Sequence, residues 1–109
     1  MSDRNFKRIP VNIEADIIAS GISYKAFIRN ISEYGIHIKI PNMRSATYAK
    51  SNTNMVLKFR LPSGESVNLY CRKKWAGKIT SNSFIENIGA EILDPPDEYK
   101  DFCRVLSHV

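Results

Sequence analysis

Apolar and polar residues alternate along most of the chain. Val11, Ile13, Ala15 and Ile17 are interleaved with Asn12, Glu14 and Asp16, the period of a β-strand with one buried and one wet face. Gly21 follows as a turn signal. Residues 24–31 read as a second strand, and Ile36, Ile38 and Ile40, alternating with His37 and Lys39, as a third. Residues 30–35 are therefore expected to form a hairpin-like corner. Pro41 closes the third strand, and the polar stretch 42–54 sustains no period, so a solvated loop with at most one helical turn is expected there. Met55, Leu57, Phe59 and Leu61 then alternate with Lys58 and Arg60, and the turn sequence PSGE leads into Val67, Leu69, Cys71, Lys73 and Trp75. That pattern predicts a second hairpin. A further turn within 77–84 precedes a last strand over 85–93, in which Ile88, Ala90 and Ile92 share a face.

At Asp94 the period changes. Asp94, Pro95, Pro96, Asp97 and Glu98 supply the capping, proline and acidic signals of a helix start. Tyr99, Phe102, Cys103 and Leu106 recur at helical spacing, which predicts a short amphipathic helix. Six short strands followed by one helix point to an all-β fold, a small antiparallel barrel with the helix packed over an open end or side. Closure would protect the edges that short strands otherwise expose. With 109 residues, 43% of them apolar, the chain is expected to form a single domain. Its parts would be a flexible arginine-bearing segment (1–10), the barrel (11–93) and the helix (94–109).

Composition narrows the chemistry. A net charge of +5 and a pI near 9.4 favour anionic partners such as phosphates, nucleic acid or a membrane surface. Cys71 and Cys103 are far apart and His37 and His108 stand alone, which fits neither a metal site nor a disulfide framework. The polar start and the lack of a long apolar run lead us to expect a soluble cytoplasmic protein without membrane insertion. Nothing pairs a nucleophile with a base, and there is no Walker lysine, so neither an enzyme nor a cofactor is expected.

Two short motifs remain. Arg4 and Arg8 lie four apart on a polar N-terminal segment; in an extended segment they share a side, with Phe6 between them and Lys7 adding charge. Each guanidinium could grip a phosphate or stack on a purine. In NISEYG, the Asn30 amide suits a base edge. The Ser32 hydroxyl could meet a phosphate or brace the turn, and Gly35 permits either a positive φ or a close backbone approach. Either motif alone is commonplace, the second describing an ordinary turn; their order, with an intact strand between, is what carries weight. The other conspicuous residues have plainer readings. Trp75 and Phe59 fall on the apolar phase and are expected in the core, although the corner from Trp75 to Gly77 could lie near a ligand pocket. Cys71 reads as a small core hydrophobe, His37 as a solvent-facing strand residue, and Arg72, Lys73 and Lys74 as a solvated basic face.

With these residues the chain resembles the PilZ domain family, bacterial receptor modules for cyclic di-GMP. Arg4 and Arg8 match the family's R-x-x-x-R, and Asn30, Ser32 and Gly35 its [Asp/Asn]-x-Ser-x-x-Gly. RIPVNIEADI looks like the family's first strand, GIHIKI like the strand after its glycine, and the stretch from Gly89 to Ile92 like the Gly-x-x-aromatic of its last strand, with Ile92 replacing the aromatic. The segment 42–54 is longer than the family's usual connection, and Asp3, beside Arg4, would weakly oppose a phosphate. The resemblance implies a six-stranded antiparallel PilZ-type β-barrel with a C-terminal helix and a dinucleotide clasped between the N-terminal segment and the barrel surface. Arg4 and Arg8 would hold phosphate and guanine, Asn30 and Ser32 base edge and phosphate, and Gly35 would let the chain turn beneath them. The expected function is a non-catalytic cyclic di-GMP receptor that signals to a protein partner, in processes such as motility or biofilm formation. The alternatives are a PilZ-like interaction module without nucleotide binding, and a basic barrel for single-stranded nucleic acid. The latter is disfavoured because its stacking aromatics would need to be exposed.

Overall fold

The structure, a computed structural model, describes residues 8–19, 21–41, 54–78 and 86–107. Six strands, β1 (Ile9–Ala19), β2 (Ile22–Ile31), β3 (Gly35–Ile40), β4 (Asn54–Arg60), β5 (Ser66–Lys78) and β6 (Glu86–Leu93), precede one helix, α1 (Asp97–Ser107). The strands close into an antiparallel barrel in the order β1-β2-β3-β6-β5-β4, with β4 returning to β1. This is the architecture expected from the alternation. The expected loop at 42–54 and the turn before β6 fall outside the described residues, apart from the ends of β4 and β5.

The alternating apolar residues fill the interior. Ala15 and Ile17, Ala26 and Ile28, Ile36 and Ile38, Leu57 and Phe59, Leu69 and Cys71, and Ile88 and Ile92 are all buried. Burial pushes the Cys71 thiol up to about 12, in keeping with its reading as a core hydrophobe. Two turns use left-handed glycines, Gly21 at φ +77° and Gly64 at φ +97°, a conformation in which a Cβ would be strained.

Three irregularities interrupt the ladders, between Pro10 and Ile13 in β1, Ile28 and Asn30 in β2, and Lys73 and Trp75 in β5. A bulge inserts a residue and so reverses which face the following side chains take. In β2 it carries the buried phase from Ile28 to Ile31 and leaves Asn30 on the outer side. In β5 it overturns the expectation for Trp75. The inward run Val67, Leu69, Cys71 ends at Lys73, and Trp75 emerges on the outer face with 49% of its surface exposed. Phe59, by contrast, is in the core as expected.

The helix closes one side of the barrel. Its acidic first turn, Asp97 and Glu98, suits the positive end of the helix dipole, and the Pro96 carbonyl accepts from both the Tyr99 and the Lys100 N–H at 3.1 Å. Tyr99 and Cys103 are buried, while Phe102 and Leu106 pack partly buried against the core. The Tyr99 ring meets Phe59 edge-on, with centroids 6.3 Å apart, and its phenol reaches the corner between β2 and β3.

Candidate functional site

That corner is braced from several directions. The Ser32 N–H donates to the Gly35 carbonyl at 2.9 Å, and its hydroxyl to the same oxygen at 3.3 Å. Ser32 is buried, so of its two expected roles the geometry displays the turn-bracing one. The Tyr99 phenol donates to the Ser32 carbonyl at 2.6 Å. Burial raises the Tyr99 pKa, so the phenol keeps its proton as a donor. Glu33 lies 3.5 Å from Arg104 of α1, and the Ile92 N–H of β6 donates to the Tyr34 carbonyl at 2.9 Å. Helix and last strand thus fix the turn from beneath.

Gly35 begins β3 and is not one of the left-handed glycines. Of its two expected roles, close approach is therefore the one realised. A Cβ there would lie 3.3 Å from Ser32 Oγ, 3.8 Å from Arg8 Nη2 and 3.9 Å from the Ala90 carbonyl oxygen. The missing side chain relieves the Ser32 hydroxyl, the one tight contact, while Arg8 lies at ordinary van der Waals distance.

Arg8 and Asn30 come from different motifs and meet directly. Arg8 Nη1 donates to Asn30 Oδ1 at 2.8 Å. The Asn30 Nδ2 is in turn 3.2 Å from His37 Nδ1, and His37 Nε2 is 3.0 Å from Asn87 Oδ1. Asn30 keeps a second lone pair and a second amide proton for a ligand. His37, expected to face solvent, is instead half-buried within this chain of side chains. Arg4 of the same motif, with Asp3, Phe6 and Lys7, lies outside the described residues.

The strand register explains the grouping. Asn30 of β2 lies opposite His37 of β3, His37 opposite Gly89 of β6, and Gly89 opposite Trp75 of β5. The bulges in β2 and β5 bring the two ends of this row onto the outer face. Trp75 lies across bare glycine, so close that a Cβ on Gly89 would come within 2.1 Å of the indole Nε1. Its ring centroid is 5.5 Å from that of His37. An arginine, an amide, an imidazole and an indole thus form one strip, with donors at one end and an exposed aromatic face at the other. Alternation alone missed Trp75, although Lys73 on the inward phase was a signal, since a lysine rarely fits a core position. No local signal marks His37, because Asn87 and Trp75, two of its three partners, come from strands distant in sequence.

Charge around the strip is mainly positive. Arg8, Arg29 and Lys74 are exposed and Lys39 and Lys73 half-exposed, while Arg72 is occupied by Glu91 at 2.9 Å. The hydrogen bond from Arg72 holds the Glu91 carboxyl below its usual range. Among the described residues no helix is long and apolar enough to cross a membrane.

Several solved structures share this fold. The Bacillus subtilis inhibitor of motility, MotI/DgrA, superimposes with a TM-score of 0.76 at 14% identity, over 96% of this chain and 50% of that one. The PilZ domain of CeSA from a cellulose-synthesizing bacterium gives 0.59 at 16% identity, over 94% and 96% of the two chains. The Borreliella burgdorferi PlzA protein, solved in complex with c-di-GMP, gives 0.65 at 15%, over 94% of this chain and 50% of its own. The chain therefore spans half the length of two of these structures, and at such identities the likeness speaks for the fold alone. No curated protein sequence matches the chain. The PilZ domain family model, however, matches residues 2–104, taking in the barrel, the braced turn and most of the helix, and the chain belongs to that family.

Proposed function

We propose that this domain is a non-catalytic receptor for cyclic di-GMP, bound on the strip between the arginine-bearing N-terminal segment and the outer face of β2, β3, β6 and β5. The observation that carries the reading is the 2.8 Å bond from Arg8 to Asn30, which joins the two motifs 22 residues apart in sequence. The ligand's phosphates would take Arg8 and Arg4, and its guanines the spare donor and acceptor of Asn30 and the exposed face of Trp75. Ser32 and Gly35 serve the site by holding the turn against which Arg8 lies. PlzA, of similar fold, was solved with this ligand, which supports the choice of dinucleotide. Closure of the N-terminal segment over the ligand would then present a new surface to a protein partner in the cytoplasm.

A second reading, an interaction module that takes no nucleotide, is favoured by an apolar row on another part of the barrel. Ile18, Val56, Tyr70 and Leu93 lie opposite one another on β1, β4, β5 and β6, with Tyr70 61% exposed. The third reading, single-stranded nucleic acid, gains the exposed Trp75, but among the described residues no tyrosine, phenylalanine or second tryptophan shares its cross-strand row. Isothermal titration with cyclic di-GMP, using GTP and a short oligonucleotide as controls, separates the three. Saturable heat with cyclic di-GMP alone is the expected result. No heat from a folded sample favours the interaction module, and salt-dependent binding of the oligonucleotide favours the third reading.

A further inference from the structure

Arg8, Asn30, His37 and Asn87 form one chain of hydrogen bonds, and its direction is fixed from one end. A guanidinium only donates, so the Asn30 atom 2.8 Å from Arg8 is the carbonyl Oδ1, and the amide nitrogen faces His37 Nδ1 at 3.2 Å. An amide NH2 also only donates, so Nδ1 accepts and the ring proton sits on Nε2, donated to Asn87 Oδ1 at 3.0 Å. The neutral Nε2–H imidazole alone satisfies every link. A second proton, on Nδ1, would face the Asn30 NH2 donor to donor. Turning the Asn30 amide over relieves that clash but presents its NH2 to the Arg8 guanidinium, again donor to donor. A protonated His37 and a seated Arg8 thus compete for one amide.

We infer that His37 is a positioning residue: in its neutral form it sets the Asn30 amide and seats Arg8, and on taking up a proton it reverses the amide and releases Arg8. This rests on the cyclic di-GMP reading for its effect on binding, though the hydrogen-bond chain stands without it. The sign follows from linkage. The state with Arg8 seated binds fewer protons, so a ligand that requires it binds more tightly as pH rises and more weakly as pH falls. The charged residues on the surrounding elements are Arg8 ahead of β1, Lys25 and Arg29 on β2, Lys39 on β3 itself, Arg72, Lys73, Lys74 and Lys78 on β5, and Glu86 and Glu91 on β6. Of these, Glu91 is held by Arg72 at 2.9 Å.

The test compares wild type with His37→Gln, whose amide can accept from Asn30 and donate to Asn87 at any pH. Cyclic di-GMP is titrated into each at about pH 8 and about pH 5.5, spanning the range in which an imidazole changes charge. Wild type is expected to lose about tenfold in affinity on acidification, the scale of one charge-assisted hydrogen bond, and the variant to keep its affinity. His108, the other histidine, is present in both proteins and cancels. Identical pH profiles would overturn the inference. A second readout needs no ligand: in an NMR pH titration the Asn30 side-chain amide protons should shift together with the His37 ring, starting from the Nε2–H tautomer. An Asn30 amide that ignores the ring, or an Nδ1–H tautomer, overturns the relay. A coupled shift without nucleotide binding at either pH removes the receptor reading and leaves the relay intact.

Discussion

Gly89 decides what the outer face of the barrel can carry. With no side chain it lets the indole of Trp75 lie against backbone, and any Cβ would overlap the ring at 2.1 Å. Gly89→Ala should therefore drive Trp75 off the strip rather than break the barrel, because the ring is already 49% exposed and can swing into solvent. Trp75 is the chain's one tryptophan, so its fluorescence reports this directly. The expected result is a red shift of emission toward that of free tryptophan, with a stability loss of about 1 kcal/mol. Unchanged emission would mean that the stacking over Gly89 does not persist in solution. Arg8 is the matching test at the other end of the strip. Arg8→Ala should weaken cyclic di-GMP binding by about 2–3 kcal/mol, as loss of a charge-assisted phosphate contact does, with thermal stability unchanged because the side chain is exposed. Arg8→Ala binding like wild type would disprove the clasp.

Helix α1 acts on the motif through two contacts of different worth. The Tyr99 phenol donates at 2.6 Å to the Ser32 carbonyl in a buried setting, where a lost partner leaves a desolvated acceptor behind. Tyr99→Phe should cost about 1–2 kcal/mol, seen as a lower urea midpoint with unchanged slope. Arg104 to Glu33, at 3.5 Å and with the arginine 56% exposed, is a surface pair, and Arg104→Ala should stay within about 0.5 kcal/mol. Equal losses in the two variants would refute this division. The helix itself was legible, since Tyr99, Phe102, Cys103 and Leu106 repeat at its period and Asp94, Pro95 and Pro96 announce its start. The residues it would touch were not, because Tyr99 and Ser32 are 67 positions apart and no local pattern encodes such a meeting.

Closure is a property of the whole barrel, and its seam is uneven. Among the described residues, β1 and β4 share register only from Asp16↔Lys58 to Ile18↔Val56, whereas β4 pairs with β5 along its full length, from Asn54↔Arg72 to Arg60↔Ser66. Hydrogen exchange should find the amides between β1 and β4 opening more readily than those between β4 and β5; the reverse order would place the weak point elsewhere. The interior also sets an alkaline limit. The Cys71 thiol, ordinarily near 9.0, is pushed up to about 12 by burial. Between those values the unfolded chain releases a proton that the folded chain retains, so stability is full below about pH 9 and falls by about 1.4 kcal/mol per pH unit above it. Cys71→Ala should be less stable at neutral pH through the cavity it leaves, yet show a shallower alkaline decline in urea titrations. Parallel declines would assign the effect to other groups.

By itself the sequence determined the strands, the helix and the motif positions, because period two, period 3.6 and turn chemistry are local and each residue carries its own share of them. Phe59, Cys71 and the inward isoleucines followed from that periodicity without knowledge of their neighbours. Only the tertiary structure decided which outer residues meet. The bulges at Asn30 and Trp75 reset the alternation, and a single inserted residue moves every later side chain to the opposite face. Register across β2, β3, β6 and β5 then placed Asn30, His37, Gly89 and Trp75 in one row. A half-buried histidine contact, a glycine that serves as a floor and a tryptophan outside the core all arise from bulges and pairing between strands, which the alternation within any one strand does not specify.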